Sequence, residues 1–441
     1  MSRRSRARPA AAAVRGPSGG DRHLARIVEL DRQIARAAKP IKVLARLDWP
    51  ESIGKRFLAD HRAGRPRLPL VELPRRRHTE DIETLEALMR RCDRAHPLGS
   101  FLYKTAWSYV MAARMVEGVG TEDFTRHSVL LYGRPDVIYR RQLLTLVDAA
   151  EEFLAITDDL LGSFRIPPAV ASIPAAKFAQ AMRAQIREFF HGDDVAVVLD
   201  PDLTSKATAG SRRVRIKDGI RFTDLDLGQL LHHEAFVHAA TMLNGKRQEH
   251  LSTLGLGAPR TTRTQEGLAT LAELATLSMD INRLRRLALR VRAVKAALDG
   301  ADFIQTFRAF LEAGQSEEDS YKSTERIFRG GDVRGRIVFT KDAAYLGGLL
   351  EVHTFLRVAI RENRPELIPR LFAGRLTLGD VFELSEFFES GALAPPTYVP
   401  PWAADLRRLA ALLAYSGFMA RVRLEGLALQ SFLDQEEERI G

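Results

Sequence analysis

Apolar residues recur at threes and fours along most of this chain, the rhythm of helices with one buried face. Leu24, Ile27, Val28, Leu30 and Ile34 open the pattern, which runs to about Gly162 and predicts helices near 79–93, 98–118 and 141–161. PRLPLVELP at 66–74 interrupts it as an extended linker. Trp107, Tyr109 and Met111 read as core within the second of these helices. A further helix is expected at 175–190.

The texture then changes. VAVVL at 195–199 is a compact β-branched run, and SRRVRIKDGIRFT at 211–223 alternates. Val214 and Ile216 share a face that Ile220 and Phe222 resume after Asp218-Gly219, which predicts a hairpin. From there the pattern returns to helix, near 263–278, 280–299, 302–314, 316–329, 341–363, 377–390 and 403–424. No repeat of fixed period is found. The expected class is α+β and predominantly α-helical, with a small mixed or antiparallel sheet beside one functional helix.

Composition refines this little. The 441 residues are 45% hydrophobic and 28% charged, as in ordinary globular proteins. The net charge of +10 is mostly a property of the start: up to Arg26 the chain carries seven arginines against Asp21. Residues 1–21 are expected to be a disordered basic leader, 22–170 a helical region, and 171–441 the catalytic region. No run of about 18 apolar residues stands out, so no membrane span is expected. Cys92 is the only cysteine, which excludes an intramolecular disulfide and a multi-thiolate zinc site. A reducing, cytoplasmic setting is consistent with that.

The candidate chemistry lies in TDLDLGQLLHHEAFVHAATML, a helix expected to enter at Thr223 or Asp224. His233, Glu234 and His238 read His-Glu-x-x-x-His, one residue longer than the zinc-protease signature. In a regular helix, residues five apart stand about 140° around the axis, which suits one metal ion poorly. Either a π-bulge brings both histidines onto one face, or the helix loosens near the second. Both readings predict an irregularity between Glu234 and His238.

A catalytic zinc site needs a third protein ligand. RTQEGLATLAEL at 263–274 offers Glu266, followed by Gly267 and Ala269, small enough to let that helix lie close to a neighbour. Glu234 is then free to act as general base. Cobalt or manganese also suits two histidines and a glutamate. His232 and His250 are candidates for a fourth ligand in a purely structural zinc site.

HHEAFVH at 232–238, TQEGLA at 264–269, ERIFRGG at 325–331 and FTKDAAYLGG at 339–348 together resemble the tubulin tyrosine carboxypeptidases and their bacterial QEGLA-motif relatives, over roughly residues 22–430. The bacterial members' family name also refers to flavohaemoglobin expression. The resemblance implies a zincin-like catalytic core, one zinc ion held by His233, His238 and Glu266, a catalytic Glu234, and release of a C-terminal Tyr or Phe from a protein or peptide.

Such an enzyme must also pair the terminal carboxylate with a cation and stabilise an oxyanion. Arg329, before Gly330 and Gly331, is the preferred carboxylate anchor, with Arg326 and Lys341 as further candidates. Tyr345 is the candidate oxyanion donor, largely on the resemblance. ATAGSRRVRI at 207–216 can offer an edge strand to a peptide substrate.

Two other functions compete. One is a zinc-stabilised regulatory protein that hydrolyses nothing. The other is nucleic-acid binding through the leader, RRRH at 75–78 and the basic helix at 280–299. The arginines of that helix are spread over several faces and read as solvated, so no specific nucleic-acid partner is expected.

Overall fold

A computed structural model describes residues 19–419, apart from 75, 139–143, 163 and 165–168. The expected leader therefore lies mostly outside the described residues. The fold is α+β and mainly helical.

The predicted helices form close to their expected bounds. Thr79–Arg91, Pro97–Glu117 and Leu146–Leu161 follow an N-terminal helix at Gly19–Ala38, and 66–74 is neither helix nor strand. Glu122–Tyr132 is an additional helix, and the expected helix at 377–390 divides into Leu378–Glu383 and Ser385–Glu389. Trp107 packs against the large core, and Tyr109 and Met111 are buried within it.

Among the described residues there are five short strands: β1 (Ile173–Pro174), β2 (Ala196–Asp200), β3 (Ala207–Ala209), β4 (Arg213–Lys217) and β5 (Arg221–Phe222). β2 pairs parallel to β4 and β3 antiparallel to it, so this sheet is mixed with β4 at its centre. Val214 and Ile216 point into the core while Arg213 and Arg215 point out, as strand alternation requires.

The expected hairpin does not form. The chain does turn at Asp218-Gly219, where Gly219 has φ +73°. β5, however, pairs with β1 through Phe222 and Ile173. The reason is topological: β2 and β3 already occupy both edges of β4, so no backbone groups remain for a returning strand.

The helix that carries the histidines runs between two cores. Leu230, Leu231, Ala235, Phe236 and Ala239 join the sheet and the Ala175–Phe189 helix. Phe236 stacks on Phe189 with ring centroids 4.1 Å apart. Val237, on the other side, enters the large helical core with Leu268 and Ala272. That same core takes in Ile27, Leu30 and Ile34 near the N-terminus and Leu409 near the C-terminal end of the described chain.

The Thr340–Arg361 segment has the length and apolarity of a membrane span, contrary to the expectation above. Here half of its most apolar window is buried within the protein. Its Ala343–Arg361 helix lies against Thr262–Ala275 at backbone contact: a Cβ added to Gly267 would meet the Gly348 carbonyl oxygen at 2.3 Å. The small residues after Glu266 thus permit close helix packing.

Candidate metal centre and active site

The histidine helix begins with a Thr223 capping box. Thr223 Oγ1 accepts from the Asp226 N–H at 3.2 Å, and the Asp226 carboxylate accepts from the Thr223 N–H at 2.8 Å. Asp224–Leu230 is α-helical, Leu231–Ala239 is a π-helix, and Ala240–Lys246 is α-helical again. The irregularity expected between Glu234 and His238 is therefore a π segment, whose i to i+5 bonding brings residues five apart onto one face. The two imidazole rings stand edge to face with centroids 4.8 Å apart.

Glu266, on the facing Thr262–Ala275 helix, completes the cluster. Its Oε2 lies 3.4 Å from His233 Nε2 and 3.7 Å from His238 Nε2. One ligand atom from each residue falls within 4.8 Å of the others. A tetrahedral ion with bonds of about 2.0–2.1 Å sets its ligand atoms roughly 3.4 Å apart. Glu266 Oε2 is buried and makes no well-formed hydrogen bond. A buried carboxylate oxygen facing two imidazole nitrogens is a donor set that fits a divalent metal.

A second layer of bonds orients these groups. His233 Nδ1 is 2.6 Å from Glu273 Oε1, which also accepts from Arg283 Nη2 at 2.6 Å. Glu273 is fully buried. The bond takes up Nδ1 and leaves Nε2 for the cluster, the usual arrangement behind a metal-binding histidine. Arg375 Nη1 approaches His238 Nδ1 at 3.5 Å, and its Nη2 donates to the His238 carbonyl at 3.3 Å. Gln265 Oε1 accepts from both Arg375 Nη1 and Thr241 Oγ1, each at 2.9 Å. Thr241, Gln265 and Arg375 thereby tie the end of the π segment to the residue preceding Glu266.

Glu273, Gln265 and Arg375 received no role in the sequence reading. Glu273 carries a signal, since seven residues after Glu266 is two helical turns and the same face. Arg375 lies in a loop 137 residues beyond His238, and local pattern could not find it.

The charges are tightly coupled. Burial opposes protonation of His233, but its contacts with Glu266 and Glu273 outweigh that and lift its pKa to about 10. Burial, Arg375 and His233 hold His238 down to about 4 despite Glu266. Burial also works against the charge on Glu266, yet Lys341 and the histidines keep its carboxyl well below the usual range. Glu234 is displaced upward, first by burial and then by Glu266, and the Ala209 backbone N–H bonds its carboxylate.

The remaining candidates occupy different places. Lys341 Nζ donates to Glu266 Oε1 at 2.8 Å and to the Tyr345 hydroxyl at 3.3 Å. Arg326 donates from Nε and Nη2 to Asp342, at 2.7 and 2.6 Å, and from Nη2 to Tyr345 Oη at 3.1 Å. These residues form a chain leading from the cluster. Arg329 is buried 3.6 Å from Asp48 and over the Phe339 ring, within electrostatic reach of Arg326, Asp342 and Tyr345. Gly330, with φ +80°, packs against Phe124 and Leu47, so the tight backbone there serves the core. His232 turns its ring to the edge of Phe236, and neither it nor His250 joins the cluster.

The basic helix, observed at Ile281–Asp299, corrects the solvated reading. Arg283 meets Glu273, Arg285 meets Asp158, Arg286 meets Asp319, Arg290 meets Asp342 and Arg292 meets Glu151. Arg283 and Arg290 face buried carboxylates, whereas Arg285, Arg286 and Arg292 pair at the surface, and Arg292 stays exposed.

A π-helix and a facing glutamate, buried at a helix–helix contact and bordered by a sheet edge, define a mainly helical α+β protein with a candidate metal centre. The chain belongs to the microtubule-associated tyrosine carboxypeptidase family, whose model matches residues 55–421. Membership implies carboxypeptidase activity toward tyrosine, and with it a protein substrate. No curated protein matches the chain.

Proposed function

We propose that this protein is a zinc-dependent carboxypeptidase of the cytoplasm that removes a C-terminal Tyr or Phe from a protein or peptide, with one zinc per chain. The observation that carries the reading is the convergence of His233 Nε2, His238 Nε2 and Glu266 Oε2 beside Glu234. Bound there, zinc supplies Lewis acidity toward water and toward a carbonyl oxygen.

The chain's own residues do the rest. Glu234, whose burial raises its proton affinity, takes a proton from the attacking water and delivers it to the leaving amine. Tyr345 accepts hydrogen bonds from Lys341 and Arg326, which leaves its own hydroxyl proton for the developing oxyanion. β3 is an edge strand of its sheet, and its last residue, Ala209, touches Glu234. A peptide paired along that edge would pass the general base.

The test is to incubate zinc-loaded protein with peptides differing only in their last residue and to follow single-residue loss by mass spectrometry. The parent should trim Tyr and Phe. Glu234→Gln should keep its zinc and lose about 10³-fold in kcat. Zinc loss in that variant would put Glu234 among the ligands, and no trimming by the parent would favour a regulatory zinc protein.

A further inference from the structure

The N-terminal helix, Gly19–Ala38, lies ahead of the residues that the family model matches. Its inward stripe of Ile27, Leu30, Ile34 and Ala38 is apolar, as a helix packed on a core requires. Asp31 breaks that stripe. It is fully buried, and burial raises its pKa against the hydrogen bonds it accepts. An acid here costs stability that an apolar residue would not, so it serves something other than packing.

Its bonds all run to one short segment. Asp31 Oδ2 accepts from the Ser252 N–H and hydroxyl, each at 2.5 Å, and Oδ1 accepts from the Thr253 N–H at 3.1 Å and from the Thr253 hydroxyl. Ser252–Gly255 is a 3-10 helix that opens with these two residues. The N–H groups at the start of a helix have no partner within it. Asp31 supplies that partner from 221 residues away in sequence.

This turn is wedged against the helix that continues from the π segment. A Cβ added to Gly245 would meet the Leu254 carbonyl oxygen at 2.1 Å, and one added to Gly374 would meet Leu254 Cβ at 2.9 Å. The Leu254 carbonyl accepts from the Arg375 N–H at 2.8 Å. Asn244 and Gln248 also hold this loop, through the carbonyls of Phe372 and Ala373, but the bond to Arg375 itself comes from Leu254. The Arg375 guanidinium then reaches the His238 carbonyl at 3.3 Å, His238 Nδ1 at 3.5 Å, and Gln265, the residue before Glu266. Direct contacts therefore run without a break from Asp31 to a candidate metal ligand.

We propose that Asp31 is a positioning residue of the metal centre: it fixes the Ser252–Gly255 turn, the turn fixes Arg375, and Arg375 orients His238. The inference rests on the metal-binding part of the reading above and deepens it. Groups behind a metal ligand orient it and tune affinity. Here the orienting group is itself held in place by the N-terminal helix.

Zinc affinity, measured by competition with a chelator, tests this without turnover. Asp31→Asn keeps the side chain's size but turns an amide NH2 toward donors, and should weaken zinc about tenfold. Arg375→Met should weaken it about 10–100-fold, and adding Asp31→Asn to that variant should weaken it little further, because both act through one connection. Ile34→Val loosens the same stripe without touching the turn and should leave zinc affinity unchanged. Cobalt-loaded protein gives a second readout. Its visible absorption reports ligand geometry, which should shift in Asp31→Asn and not in Ile34→Val. Should Asp31→Asn fail to fold, Thr253→Val removes a single bond and carries the same test at about threefold.

Parent-like zinc binding in the Asp31 and Thr253 variants, effects of Asp31 and Arg375 that simply multiply, or an equal loss in Ile34→Val would overturn the assignment. A parent that binds no zinc overturns the metal reading and this role with it. A parent that binds zinc in an Asp31-dependent way but trims no peptide overturns the hydrolytic reading alone.

Discussion

Two helices bring the candidate ligands together, and they do so by opposite means. Thr262–Ala275 is a regular helix in which Glu266 and Glu273, two turns apart, point the same way. Leu231–Ala239 departs from regular geometry so that His233 and His238 can do the same. The regular helix is held by backbone contact at Gly267 and Gly348, while the irregular one is held by side chains, Thr241, Gln265 and Arg375 at its end and Phe236 in the sheet core. The contrast teaches that an unusual spacing in a motif can be accommodated by the backbone if neighbouring elements grip the distortion. A spacing that fits the α-helix needs only a close neighbour.

The largest expected effect comes from removing the bond that joins the two helices. Glu273→Gln strips the negative charge from a fully buried group that meets both His233 Nδ1 and Arg283. Breaking such a pair costs about 3–5 kcal/mol, and zinc affinity should fall by about 10–100-fold. Thermal unfolding and competition with a zinc chelator would measure the two effects. Undiminished zinc affinity would show that His233 does not depend on Glu273 for its orientation.

Gly267→Ala probes the regular helix. The new methyl meets the Gly348 backbone at 2.3 Å, and backbone cannot swing aside. A loss of about 1–3 kcal/mol in denaturant unfolding is expected. A neutral result would mean that the contact between the Glu266 and Ala343–Arg361 helices is easily spread.

The smallest effect on the fold is expected from deleting Ala235. A π segment is an α-helix with an extra residue, so the deletion should restore a regular helix and leave the flanking Asp224–Leu230 and Ala240–Lys246 segments in place. It sets the histidines four apart, which a regular helix also places on one face. Stability should change by about 1 kcal/mol, and zinc should still bind. Loss of zinc in a folded deletion variant would show that the π geometry itself, beyond co-facial histidines, is required.

Much of this was legible in the chain. The helical rhythm carried the fold class, and the five-residue spacing announced a helix irregularity before its form was known. Glu266 was found because an isolated carboxylate followed by small residues is conspicuous. Two expectations failed for the same physical reason. Asp218-Gly219 looked like a hairpin and Arg283 and Arg290 looked solvated, since turn chemistry and charge are local signals. Whether a strand edge is free, or a carboxylate stands opposite, depends on residues distant in the chain.

What the sequence determined by itself, then, was periodic and local: which segments coil, which residues can ligate a metal, and that His233 and His238 could not share a face of an unbroken α-helix. Tertiary structure decided everything that requires two segments to meet. It set Glu273 behind His233, brought Arg375 to His238 from 137 residues away, and put Arg326 and Arg290 beside the one buried carboxylate of Asp342. Backbone periodicity is written over a few residues, whereas the field at a buried charge is the sum over whatever the fold packs around it.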